Sequence, residues 1–228
     1  YVIHAGEGTD EMAHREIDTL IKMNFFNKSL FAVHGVAMDE EQAKAFGALI
    51  WCPVSNYFLL NATADIEKLK SKTSILFGTD STLTAGWNLW EHLRLARKTK
   101  MMNDRELFET LTKTPSSTWK QNNNGIIAAN KNADIVIAKA ENRKGFDAFY
   151  SLKPEDLQLV LHKGEIRLFD EEIKAQLSAN DFSIKEFSKI FLNGKTKYVY
   201  GDLGGLISKI LSYYPKVIFP VSQAKKIK

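Results

Sequence analysis

Four side chains carry the chemistry this sequence offers: His4, Glu7, His34 and Asp80. Val2-Ile3 runs into His4, with Glu7 three residues later. Leu30-Phe31-Ala32-Val33 runs into His34-Gly35, and Ser74-Ile75-Leu76-Phe77-Gly78 runs into Thr79-Asp80-Ser81. A single strand-end histidine is more often a satisfied core or loop residue than a functional one. Three apolar runs that each end in a titratable group are harder to assign to packing, because desolvating such groups costs several kcal/mol unless they are paired or bind a cation. Imidazole and carboxylate suit zinc or iron. A catalytic metal of that kind keeps one position open for water and lowers its pKa toward neutrality. One carboxylate can then take the water's proton and another can deliver a proton to a departing nitrogen. The chemistry expected is metal-assisted hydrolysis of a small molecule.

Such residues converge only if the elements between them bring the strand ends together. A short apolar run bounded by turn residues reads as a buried strand. In a βα-barrel the residue at its carboxyl end faces the mouth where chemistry is done. Thr9 is expected to cap a helix running to about Phe25, Asp39 a second one, and a third strand-like run covers Ala48–Cys52. Pro53-Val54-Ser55-Asn56 reads as a turn whose serine and asparagine can bond backbone or ligand. Helical patterns over 64–71, 85–99 and 103–111, and a short one from Pro115, complete the first part. Strand and helix alternate four times, the pattern of a parallel sheet and half of an eight-stranded barrel. His14 and His92 are expected on the surface or in packing.

The pattern changes at Asn122-Asn123-Asn124-Gly125. Beyond it the segments are shorter and β-like: Ala133–Ala138, then 157–162 joined to 165–169 through Lys163-Gly164, and a hairpin about Asn193-Gly194. A helix over 203–214 follows. The expected organisation is α/β: residues 1–121 as strands five to eight of a (β/α)8 TIM barrel, and 122–228 as a small, mainly β, sandwich-like appendage without a catalytic constellation.

Bulk properties exclude some functions. Among 228 residues, 44% are hydrophobic and 25% charged, ordinary for a globular protein with a real core. The net charge of +4 and the lack of a basic stripe argue against nucleic acid as a partner. Lys225, Lys226 and Lys228 read as a solvated tail. No apolar stretch approaches the roughly 18 residues needed to span a bilayer. The single cysteine, Cys52, excludes an internal disulfide and fits a reducing, cytoplasmic setting. Because the chain enters an apolar strand at Tyr1 without an initiator methionine, it is expected to be a C-terminal portion of a longer protein.

In order along the chain, His4-Ala5-Gly6-Glu7, Val33-His34-Gly35, Cys52-Pro53-Val54-Ser55-Asn56, Gly78-Thr79-Asp80-Ser81 and Ala133-Asp134-Ile135-Val136 resemble landmarks of the amidohydrolase superfamily. The likeness is to the branch holding cytosine, guanine and S-adenosylhomocysteine deaminases and the chlorohydrolases, and the His-Ala-Gly-Glu run is also similar to adenosine deaminase. It covers roughly residues 1–140. The resemblance implies His4 as a metal ligand closing the fifth barrel strand and Glu7 as the proton shuttle. It implies His34 orienting water or substrate at the sixth strand, and Asp80 at the eighth as ligand and base. Ser55 and Asn56 would lie near the substrate. Zinc is the implied metal, with iron as the alternative, and deamination of a cyclic amidine or aminated heterocycle is the implied reaction. Dechlorination or cyclic-amide hydrolysis on the same scaffold, and a non-catalytic barrel remnant, are the alternatives.

One departure bears on all of this. The family opens its first strand with a His-x-His pair, and no two histidines here stand two apart. The chain alone is therefore expected to bind metal weakly and turn over nothing. Its open sheet edge calls for an N-terminal half of the barrel or a second copy as partner.

Overall fold

A computed structural model describes residues 1–180 and 182–223; the lysine tail at 225, 226 and 228 lies outside them. The chain divides into two compact units, Tyr1–Ile126 and Ile127–Lys228.

The first unit is built on four parallel strands, β1 (Val2–Ala5), β2 (Phe31–His34), β3 (Ala48–Trp51) and β4 (Ser74–Phe77), in the spatial order of the sequence. Register pairs Ala5 with His34 and Trp51 with Phe77, so the strands finish nearly level. Parallel neighbours cannot be joined by a tight turn, and each connection carries helix. These helices are α1 (Glu11–Met23), α2 (Glu40–Ala43), α3 (Pro53–Leu60) and α4 (Ile66–Leu69), with α5 (Leu89–Thr99), α6 (Asp104–Glu109) and α7 (Lys113–Thr118) after β4. The two inner strands are the most enclosed, with Ala32, Leu49 and Trp51 fully buried. β1 is an edge strand, with Val2, Ile3 and His4 exposed.

Two expectations need correcting. Asp10, not Thr9, caps α1: its carboxylate accepts from Ala13 N–H at 2.9 Å, satisfying one of the free donors of the first turn. Residues 53–56 are the first turn of a helix rather than an isolated turn. Proline at the first helical position supplies the right φ and sacrifices no hydrogen bond.

The second unit is one antiparallel sheet of six strands in the order β10-β8-β9-β7-β6-β5. The strands are β5 (Ile135–Ala138), β6 (Leu157–His162), β7 (Glu165–Asp170), β8 (Phe187–Leu192), β9 (Lys195–Tyr200) and β10 (Ser222–Gln223). The expected sandwich is thus a single sheet among the described residues. Tight turns pair β6 with β7 and β8 with β9, and the longer return lays β9 against β7. Lys163-Gly164 and Asn193-Gly194 have positive φ at both residues, the geometry that matches strand twist in a two-residue hairpin. Three helices, α8 (Gly145–Ser151), α9 (Glu171–Ser178) and α10 (Leu203–Tyr213), accompany the sheet. At its centre the Phe169 and Tyr198 rings stack at 4.7 Å. The ammonium of Lys197 is 1% exposed, and it donates to Asp170 and to the carbonyls of Glu155 (2.7 Å) and Leu157 (2.6 Å).

Candidate active site

The level ends of β1, β2 and β4 gather the residues singled out in the sequence. β2 stops at His34 because the backbone there turns left-handed, φ +73° at His34 and +57° at Gly35. Gly35 N–H then donates to Ala5 O at 3.1 Å, and Ala37 N–H to Gly6 O at 3.1 Å, tying the loops that leave β1 and β2. Gly6 has φ +64°, and a Cβ there would lie 2.6 Å from Ile17 Cδ1. Only glycine turns the chain so tightly over α1, and the turn brings Glu7 back over the strand ends. After β4, Gly78 lies so close to Cys52 that a Cβ would come within 2.6 Å of its Sγ. Two residues on, Asp80 is again left-handed at φ +57°. Such conformations cost a non-glycine residue about 1–3 kcal/mol each and gather at functional sites.

His34 is 1% exposed. Its Nδ1 lies 3.0 Å from Asn56 Oδ1, and its Nε2 lies 3.5 Å from Glu7 Oε1. Asp80 Oδ2 accepts from the Ser55 hydroxyl and, at 3.2 Å, from Thr84 Oγ1, while Ser55 and Thr84 Oγ atoms are 3.0 Å apart. Partial burial pulls the Asp80 carboxyl up. Hydrogen bonds from Ser55 and Ser81 N–H, the nearby His34 and Thr84 outweigh it, and the group is held below the usual carboxylate range. Burial pushes the Cys52 thiol up to about 12, with the Asp80 charge adding to it. Cys52 is therefore a packed thiol, not a nucleophile.

One ligand-type atom from each of Glu7, His34 and Asp80 falls within 4.8 Å of the others. Two carboxylates and an imidazole so close together suit a divalent cation by donor chemistry and by charge. His4 does not join that set. It is exposed, and its ring stacks on that of His34 with centroids 5.3 Å apart and planes at 27°. Ser55 and Asn56, expected beside the substrate, are both 0% exposed, and their polar atoms engage Asp80 and His34. Thr84 escaped the sequence reading; a hydroxyl four residues beyond Asp80, free to fold back on it, was the available signal. A separate cavity of about 640 Å³ opens at the other end of β4, beside Lys70, Ser74 and Thr110, and none of the site groups lines it.

Among solved structures, the chain resembles an amidohydrolase from Thermotoga maritima MSB8, with a TM-score of 0.56 and 19% identity over 72% of this chain and 42% of that one. A second amidohydrolase aligns with a TM-score of 0.53 and 17% identity over 72% and 43% of the two chains. The aminofutalosine deaminase of Helicobacter pylori, solved with methylthio-coformycin, aligns with a TM-score of 0.51 and 17% identity over 72% and 56%. The chain spans about half the length of these proteins. No family model matches the sequence, and no curated protein matches it. At these identities the likeness is one of fold alone, shared with part of each of these proteins.

Proposed function

We propose that this chain is the part of a metal-dependent amidohydrolase that carries its acid–base residues, acting on carbon–nitrogen bonds other than peptide bonds. The reaction is hydrolytic deamination of a cyclic amidine or aminated heterocycle. The observation that carries this reading is the convergence of Glu7, His34 and Asp80 within 4.8 Å from the ends of three different strands. The parallel sheet of the first unit is then strands five to eight of an eight-stranded barrel. Its edges at β1 and β4 await strands one to four, and the completing half brings the His-x-His pair.

In the completed site Asp80 would hold the metal, zinc by preference, together with His4, which stands outside the Glu7–His34–Asp80 set of this chain, and the metal would supply a hydrolytic water of lowered pKa. This chain's own residues divide the remaining work. Asp80, kept ionised by Ser55, Ser81 and Thr84, takes a proton from the attacking water. Glu7, on the loop that Gly6 turns over the strand ends, carries protons to the ring nitrogen and the departing amine. Loss of ammonia from a ring needs that donor, and for this reason a second carboxylate favours deamination. His34, enclosed and fixed by Asn56, orients the water or the substrate. Two aligned amidohydrolases and a deaminase support this class of chemistry.

The test is completion. Co-expression with an N-terminal half bearing His-x-His is expected to give stoichiometric zinc by elemental analysis and ammonia release from aminated heterocycles. Asp80→Asn in that complex is expected to lose both. Zinc binding and turnover retained in Asp80→Asn would remove Asp80 from its role. A completed barrel that neither binds zinc nor releases ammonia from any aminated heterocycle offered would leave a non-catalytic remnant as the better description.

A further inference from the structure

The first turn of α3 reaches two strands that are not its own. β3 lies between β2 and β4, and α3 leaves β3 after Cys52 alone. Consecutive residues therefore serve opposite neighbours: Ser55 holds Asp80 beyond β4, and Asn56 meets His34 at the end of β2. Asn56 is fully buried, and its Nδ2 has no hydrogen-bond partner, so the carboxamide's one polar engagement is the oxygen that faces His34 Nδ1 at 3.0 Å.

A carboxamide oxygen only accepts, and the ring nitrogen opposite it must therefore carry the proton. We propose that Asn56 is a positioning residue that fixes His34 as its Nδ1–H tautomer and leaves Nε2 as a bare lone pair turned toward Glu7. A lone pair 3.5 Å from a carboxylate oxygen is repelled by it unless a cation, or a donor such as water, stands between. The tautomer thus prepares a place that only a donor or a cation can fill. This goes beyond the hydrolase assignment but rests on it for its use: the proton on Nδ1 makes His34 an acceptor toward the reacting water, not a donor.

The test reads the ring directly. In the full chain labelled with nitrogen-15, at alkaline pH, His34 is expected to show a protonated Nδ1 and an unprotonated Nε2. Asn56→Leu is expected to move the proton toward Nε2, and Asn56→Asp, which still accepts, to keep it on Nδ1. A wild-type His34 protonated on Nε2 would overturn the proposal, as would a tautomer unmoved in Asn56→Leu. Should the leucine variant fail to fold, the wild type and Asn56→Asp decide alone. Failure of the hydrolase assignment is read separately, in zinc content and ammonia release by the completed protein.

Discussion

Removing the Ser55 hydroxyl isolates one contribution to the state of Asp80. A hydrogen bond to a charged group contributes about 1.5–3 kcal/mol where solvent is excluded. Asp80 is exposed, so screening reduces that figure, and Ser81 N–H and Thr84 Oγ1 still donate in the variant. About 1 kcal/mol remains, somewhat less than one pKa unit at about 1.4 kcal/mol per unit. Ser55→Ala is therefore expected to raise the Asp80 midpoint by about half a unit to one unit in the metal-free chain, followed by carbon-detected NMR of the labelled carboxyl. The sign of the linked stability change follows from the direction of the shift. A carboxyl whose folded pKa is lowered stabilises the fold above its unfolded value, and that stabilisation is lost as pH falls through the folded value. In urea titrations, wild type is then expected to exceed Ser55→Ala by about 1 kcal/mol at neutral pH. The gap should close in acid once Asp80 is protonated in both. An Asp80 titration identical in the two proteins, or a stability gap that ignores pH, would refute the reasoning and reduce Ser55 to a packing residue.

Other perturbations test the frame around the site. Gly35→Ala puts a Cβ 2.6 Å from Leu49 Cδ1 at a φ of +57° and is expected to cost about 1–3 kcal/mol in thermal or urea unfolding. Lys197→Met strands the buried carboxylate of Asp170 and is expected to destabilise the second unit by about 3–5 kcal/mol, read as early loss of its amide protection in hydrogen exchange. Cys52, buried and with its thiol pushed up to about 12, is expected to resist maleimide in the native chain and to react fully in denaturant.

The site was legible in the sequence to the extent that it follows from local pattern. Apolar runs that lead into His34 and Asp80 mark strand ends: His34 closes β2, and Asp80 stands three residues beyond the end of β4. The left-handed backbone at those two positions was not legible, because neither is glycine, and although Asp and His adopt that region more readily than most side chains, nothing in the local pattern marks these two for it. The part played by Ser55 and Asn56 was hidden for a different reason. Proline, serine and asparagine suit an isolated turn as well as the start of a helix, and the choice rests on what the helix packs against. That they lean on Asp80 and His34 requires β3 to lie between β2 and β4, a fact of sheet order and not of spacing. In the second unit the two-residue turns announced their hairpins, whereas α8 and α9 are short, at seven and eight residues, and α9 begins at the residue after β7 ends, too little sequence for a helical period to stand out.

Because the His34 imidazole and the Asp80 carboxylate are hydrogen-bonded to adjacent residues of one short helix, small displacements of that helix act on both together. Their separation is buffered even where their absolute location drifts. Sequence change in the surrounding loops can accordingly reshape the approach to the strand ends while leaving the His34–Asp80 pair in place.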